Sequence, residues 1–326
     1  MYEKPRNNLR RLTAFITTII VLLPMLVGFS PARQDDSVIM HIQTGIGGWY
    51  RAGHWIPVQV FVQSDNEDIT NGQLQVRVNT SPLGATQLET TYRVPFSISA
   101  GDSKRVFIYV SVSDFTRDVQ VELVRPNGSV VTTARKGIAQ IAASDTLYAV
   151  VSDADSLNIA QLSTGVGRPH QANWRVADIP PNVDALRALD VLLFSDTDTG
   201  QLSNDQRLAI QDWVYGGGHL IVTGGPNWQR ATDGLLDLLP VTPAGTRSIA
   251  DLSTLEDFLR LENKGLAQET LITEVEPHDG ATALITASDL PVLVRGTLGL
   301  GTVDFLSVDP TLEPLRSWAG MPHCAS

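Results

Sequence analysis

The chain of 326 residues has a single cysteine, Cys324, close to its end. A disulfide within the chain is therefore excluded, and so is a zinc site built on paired cysteines. Basic residues are scarce beyond the N-terminus, where no Lys/Arg cluster occurs. Residues 1–32 carry Lys4, Arg6, Arg10 and Arg11 against Glu3, a balance of +3, so with a net charge of −11 the remainder sums to −14. An acidic body argues against nucleic acid as a partner, because phosphate binding needs a basic patch. Nucleotide signatures are missing too: there is no G-x-x-x-x-G-K-[ST] and no G-x-G-x-x-G opening a helix. The six histidines, His41, His54, His170, His219, His278 and His323, never fall at a metal-ligand spacing such as H-x-x-x-H. No cofactor and no metal is expected.

What is present is a globular composition, 43% hydrophobic and 18% charged, in a chain long enough for two cores. Residues 1–11 are polar and basic, and Leu12 to Phe29 form an apolar run of 18 residues broken by Pro24. Ser30 and Ala32 then stand at the −3 and −1 positions of a leader cleavage site. Two readings of residues 1–36 stay open: a cleaved signal peptide, or an uncleaved N-terminal membrane anchor with a transmembrane helix. Both place the body outside the cytoplasm, associated with the cell membrane through this segment.

Residues 37–142 alternate apolar and polar positions with period two. Ile56, Val58, Val60 and Val62 alternate with their neighbours, as do Leu74, Val76 and Val78, then Val106, Ile108 and Val110, then Val119, Val121 and Leu123. Turn signals separate them at Asp65-Asn66, Asn71-Gly72, Ala100-Gly101-Asp102 and Pro126-Asn127-Gly128. About seven short strands predict an immunoglobulin-like β-sandwich. Trp49, Tyr50 and Trp55 cluster near its first hairpin, where they either fill the end of the sandwich or stack on a sugar.

Residues 143–318 change rhythm. Leu147 to Val151 is a continuous apolar run, as for a strand covered on both faces. Trp174 to Ile179 is read as a second strand and Val191 to Phe194 as a third. Ser203 and Gln206 form an S-x-x-Q capping box before Ala209, Ile210, Trp213 and Val214 on one helical face. Gly216-Gly217-Gly218 stops that helix and His219 to Thr223 is the next strand, which makes a βαβ unit. Beyond Pro240 a helix is expected near Leu255 to Leu261. Strands at Thr270–Val275, Ala283–Thr286, Pro291–Arg295 and Thr302–Ser307 are expected to add an antiparallel edge. Residues 319–326 show no capping, strand or membrane pattern and read as a disordered, truncated tail.

Asp190 to Gly225, DVLLFSDTDTGQLSNDQRLAIQDWVYGGGHLIVTGG, resembles the class I glutamine amidotransferase-like superfamily, in the trehalose-utilisation-type branch found also within large bacterial membrane proteins. Pro291 to Trp318 resembles the segment that follows in those membrane proteins. The resemblance implies an α/β, flavodoxin-like domain with a mixed, mostly parallel sheet. It also implies a cysteine on the turn after the strand at His219–Thr223, activated by a downstream histidine. Here that turn reads Thr223-Gly224-Gly225-Pro226, so the nucleophile is missing.

Two Asp-x-Asp pairs follow strands, Asp153/Asp155 and Asp196/Asp198. Strand ends are where α/β folds place ligands, and paired carboxylates suit Mg²⁺ or Ca²⁺, although aspartate also caps turns. VVSDADS loosely matches the opening motif of haloacid-dehalogenase-type phosphatases, without their downstream lysine and acidic pair in context. Together with Gly224 and Gly225 these aspartates form the candidate ligand-binding set; no catalytic residue is assigned. The expected function is a non-catalytic, exported cell-envelope protein that binds or scaffolds through the amidotransferase-like domain, with an envelope protein as partner. The alternatives are a metal-dependent hydrolase of an envelope or carbohydrate substrate, and a carbohydrate-binding module.

Overall fold

A computed structural model describes residues 37–79, 89–114, 116–153, 157, 167–259 and 265–318. The protein is mostly β, in several sheets of which one is mixed. The first unit contains β1 (Val38–Thr44), β2 (Trp49–Tyr50), β3 (Trp55–Ser64), β4 (Ile69–Asn79), β5 (Glu89–Ile98), β6 (Ser103–Ser111), β7 (Asp118–Val124), β8 (Val130–Gly137) and β9 (Ala139–Gln140). An antiparallel sheet β1-β3-β6 and an antiparallel sheet β5-β4-β7-β8 share one core, because the inward residues of each alternate with solvent-facing ones. Val58, Val60 and Val62 of the first sheet meet Leu74, Val76, Val119 and Val121 of the second there, all fully buried.

The second unit is built on β10 (Thr146–Val151), β11 (Pro169–Trp174), β12 (Val191–Phe194), β13 (His219–Thr223), β14 (Val241–Ile249), β15 (Thr270–Pro277), β16 (Thr282–Ala287), β17 (Leu290–Leu298) and β18 (Gly301–Leu306). Its main sheet has the order β11-β10-β12-β13-β18-β17-β16. The five strands from β11 to β18 run parallel, and β17 and β16 add an antiparallel edge. The short helices are α1 (Val183–Leu186), α3 (Trp228–Thr232) and α4 (Ser253–Phe258), and the long one is α2 (Asn204–Tyr215). The expected capping box closes α2, with Gln206 N–H donating to Ser203 Oγ at 3.2 Å and Ser203 N–H donating to Gln206 Oε1 at 2.9 Å. Ala209, Ile210, Trp213 and Val214 then bury against Leu192, Phe194, Leu220 and Val222.

Three expectations are corrected. The segment Trp174 to Ile179 is not a strand: β11 ends at Trp174, and Val176–Asp178 is a 3-10 turn that the Asp178 carboxylate closes by accepting from Arg175 N–H at 2.9 Å. Thr270–Val275 does extend into a strand, but it leaves the main sheet and pairs with β14 as a separate ribbon. β14 carries Pro243 and Gly245 and has mostly solvent-facing side chains, so its apolar pattern is faint. A transmembrane helix is the third: among the described residues no helix is long and apolar enough to cross a membrane. The longest, α2, has 12 residues and spans about 18 Å, against a hydrocarbon core of about 30 Å. The run Leu12 to Phe29 that prompted that expectation lies outside the described residues, as does the tail 319–326.

The two units meet through the loop after β1. Ile46 is 1% exposed and belongs to the core of the second unit, beside Leu147 and Ala172. Gly47 must be glycine there, since its φ is +61° and a Cβ would come within 2.8 Å of the Ala172 Cβ. Arg51 then donates to both carboxylate oxygens of Asp190, at 3.1 and 2.5 Å, and to the Asp145 carbonyl at 2.6 Å. Asp190 also accepts from Leu147 N–H at 2.7 Å, so one carboxylate ties the starts of β10 and β12 to the first unit. Removing either partner leaves a half-buried charge alone, which costs roughly 2 kcal/mol for a hydrogen bond of this charged kind. Arg51→Ala and Asp190→Asn are each expected to lower the urea-unfolding free energy by about that amount, and the double variant by less than the sum. An additive double variant would show that the two residues act independently.

Candidate functional site

Strand order places the site. From β10 the chain steps to β11 on one side, and the later strands β12 and β13 lie on the other. The reversal falls between β10 and β12, and in open parallel sheets ligands bind at the carboxyl ends of strands at such a point. The two tips touch through Asp153 N–H, which donates to the Asp196 carbonyl at 3.4 Å.

The aspartates expected at these tips serve different ends. Asp153 is paired with Arg230 of α3 at 2.5 Å. Asp196 sits at φ +43°, a left-handed backbone that aspartate tolerates better than most residues. Asp198 is turned into a local cap, accepting from Gly200 N–H and from Gln201 Nε2, each at 3.1 Å. Asp155 lies outside the described residues. Among the described residues, no three His, Cys, Asp or Glu side chains gather as a metal site. The convergence that a metal-dependent hydrolase would require is not seen there.

Gly224 and Gly225 form the turn after β13, and the turn is filled. Gly225 N–H donates to Thr273 Oγ1 at 2.7 Å, and the Thr273 hydroxyl donates to the Gly225 carbonyl at 3.2 Å. A Cβ on Gly224 would fall on Thr273 Oγ1 and within 2.9 Å of the Phe305 ring. A Cβ on Gly225, at φ +91°, would come within 2.7 Å of the Asp309 Cβ. No side chain fits at either position without displacing its neighbours.

Around this turn lie groups that the sequence reading passed over. Ser195 Oγ, Thr197 Oγ1, Thr223 Oγ1 and Trp228 Nε1 are buried without a hydrogen-bond partner, half of the eight such atoms among the described residues. A buried polar group left unpaired costs about 1–3 kcal/mol, so a cluster at one sheet end marks a place kept polar at the expense of stability. Asp309, which follows β18, is 4% exposed and accepts from Thr311 N–H at 2.8 Å and from the Thr311 hydroxyl at 2.6 Å. Burial pushes its carboxyl up, and the nearby Asp196 charge adds to the shift against the Thr311 hydrogen bonds. The only sequence signal for these groups was their position at, or within a few residues of, the ends of apolar strands.

His219 lies at the opposite end of β13. Its Nε2 is 2.9 Å from Asp304 Oδ2, and Arg295 grips the same carboxylate at 2.7 and 2.6 Å. Burial pushes Asp304 up, but the hydrogen bonds from Arg295 and His219 and their charges outweigh it and hold the carboxyl below 3.8. His219 is thus held in a hydrogen-bonded cluster with Asp304 within the sheet. The three aromatics near the first hairpin do not form a platform. Tyr50 is buried with its one hydroxyl hydrogen shared between the Ser113 and Thr116 carbonyls, Trp49 lies tilted on His170, and of the three only Trp55 is exposed.

The family model described as "Domain of unknown function (DUF8726)" matches residues 37–138. No curated protein matches the chain. Solved structures it is similar to include two cytoplasmic proteins of Salmonella typhimurium. The first has 15% identity and a TM-score of 0.40, covering 54% of this chain and 93% of that one. The second, from strain LT2, has 14% identity and a TM-score of 0.41, covering 54% and 94%. An exo-beta-1,4-mannosidase of Opitutaceae bacterium strain TAV5 has 14% identity and a TM-score of 0.34, covering 54% of this chain and 33% of that one. Likenesses this distant assign neither an activity nor a ligand.

Two outcomes follow from the site geometry. Thr223→Val removes an unpaired buried hydroxyl at constant shape and is expected to leave stability unchanged or raise it by about 1 kcal/mol in urea unfolding. Gly224→Ala is expected to lower it by about 3 kcal/mol through overpacking. For pH, Asp309 has a raised folded-state value. Its contribution is therefore complete below 3.8 and falls away as pH rises through the raised value. Asp309→Asn is expected to flatten that part of the urea-midpoint profile, and an unaltered profile would mean that Asp309 ionises as an exposed carboxyl does.

Proposed function

We propose that the protein is a non-catalytic, exported cell-envelope protein whose second unit is an amidotransferase-like, flavodoxin-like α/β domain used for binding, carried behind an immunoglobulin-like sandwich. The observation that carries this reading is the filled turn at Gly224-Gly225. The position where the resembled family presents its nucleophile has no side chain and no room for one. A strained elbow that exposes a thiolate is replaced by a turn whose backbone is tied down by Thr273. The switch point between β10 and β12 supports binding at the strand tips, and the two-unit build with a pinned junction suits a scaffold that presents that site. Export is read from the basic and apolar pattern of residues 1–36, with an envelope protein as the natural partner of the body.

The test has two parts. The full chain, incubated with L-glutamine, is expected to release no ammonia above the buffer rate, and Cys324→Ser to change nothing. Steady turnover would overturn the non-catalytic reading. Residues 1–36 fused to a phosphatase that is active only outside the cytoplasm are expected to give an active reporter in bacterial cells, and an inactive, full-length fusion would remove the export assignment.

A further inference from the structure

One histidine stands where the two units join. The chain passes from the first unit to the second through residues 141–145, between β9 and β10. Asp145 closes that passage into a turn. Its Oδ2 accepts from Ala142 N–H at 3.1 Å, and its own N–H donates to the Ala142 carbonyl at 3.1 Å. The other oxygen, Oδ1, accepts from Arg168 N–H at 2.9 Å, just before β11. Gly167 permits that approach, since its φ is +77° and a Cβ there would come within 1.9 Å of the Ser144 carbonyl oxygen. His170 of β11 then brings Nε2 to 3.0 Å from Asp145 Oδ2. The same imidazole meets Trp49 of the first unit, with ring centroids 4.4 Å apart and the planes at 51°. The His170 and Asp145 side chains are mostly buried, at 15% and 12% exposed. A single imidazole thus touches both the linker turn and an aromatic ring of the first unit.

The charges around the ring decide what a proton does there. The Arg168 amide, and after it the His170 hydrogen bond, hold the Asp145 carboxyl down at about 2, so it is anionic across neutral and mildly acid pH. Arg51 reaches in from the first unit, but its guanidinium is engaged by the Asp190 carboxylate and the Asp145 carbonyl. Arg168 is exposed and bonds Asp145 through its backbone. Tyr148, the titratable residue of β10, lies on the opposite face, because His170 is in register with Leu147, and burial raises its pKa above the ordinary 10. Asp145 is therefore the charge that faces the ring. A neutral imidazole gives this carboxylate one ordinary hydrogen bond. A protonated imidazole gives it a charge-assisted one and sets a cation against the Trp49 ring, within the roughly 6 Å over which such attraction acts. Both contacts strengthen together, and they draw the linker and the first unit onto the same ring. Histidine is the side chain whose ordinary titration falls between about pH 5 and 8.

We propose that His170 is a pH-operated latch between the two units: protonated, it clamps Trp49 to the linker turn at Asp145, and neutral, it leaves the junction to Arg51, Asp190 and packing. The latch is a regulatory device of the fold and does not rest on ligand binding at the strand tips.

Tryptophan emission of the full chain, followed from about pH 8 to about pH 5, tests it. A protonated imidazole against an indole quenches its emission, and subtracting the signal of Trp49→Phe isolates Trp49. A one-proton quench within that window is expected. It is expected to be absent in His170→Gln, whose amide keeps a donor for Asp145 but gains no proton. Amide hydrogen exchange, corrected for its intrinsic pH dependence, supplies the second reading. Residues 46–51 and 142–146 are expected to exchange about fivefold more slowly at the acid end, and His170→Gln to abolish the difference. Emission that does not titrate, or an exchange difference that persists in His170→Gln, would overturn the latch. Should His170→Gln melt well below the parent, Trp49→Phe decides by exchange. A phenyl ring attracts a cation less strongly than an indole, so the difference is expected to shrink, and an undiminished one would overturn the proposal.

Discussion

The carboxylate of Asp190 is the point on which both units depend. It receives two hydrogen bonds from Arg51 of the first unit and one from the Leu147 amide of the second. It thereby fixes the starts of β10 and β12, the two strands that flank the switch point. Ile46 and Gly47 hold the same junction by packing, one as a buried side chain and one as a backbone that lies against Ala172. A charged hydrogen bond gives direction and close packing gives area, and together they make a junction with a set geometry.

The main sheet treats its acidic groups in two ways. Asp304, within β18, is buried but gripped by Arg295 and His219, so its charge is offset where it stands. Asp309, just past the end of the same strand, has only Thr311 and the backbone, with Asp196 nearby. Asp304 is thus offset by a cation within the sheet, whereas Asp309 at the tip has no ion-pair partner among the described residues. Unpaired hydroxyls at those tips follow the same division. Local departures from full polar satisfaction collect where a protein binds something, because a group already paired internally has little to offer a ligand.

Part of the architecture is legible in local sequence pattern. Alternation of Val58, Val60 and Val62 marked β3, and the S-x-x-Q box with its apolar face marked α2 to within a residue. Both rest on local rules, one of strand pleat and one of helix capping. β11 was displaced by several residues because Trp174 to Ile179 has a strand-like composition, whereas the Asp178 side chain closes it into a turn. β14 went unread because its pairing with β15 is made by backbone hydrogen bonds that any side chains allow.

The sequence by itself determined that the turn after β13 carries no nucleophile, that no disulfide staples the chain, and that a βαβ unit spans Val191 to Thr223. Those follow from which residue types are present and from contacts within a few positions. Only the tertiary structure decided that this turn has no room for a side chain, since Thr273, Phe305 and Asp309 reach it from 48 to 84 positions away. Only it separated the aspartates, sending Asp153 to Arg230 and Asp198 to its own cap, while placing Ser195 beside Thr223. The physical reason is that lateral neighbours in a parallel sheet are set by strand order and register, which no local pattern records.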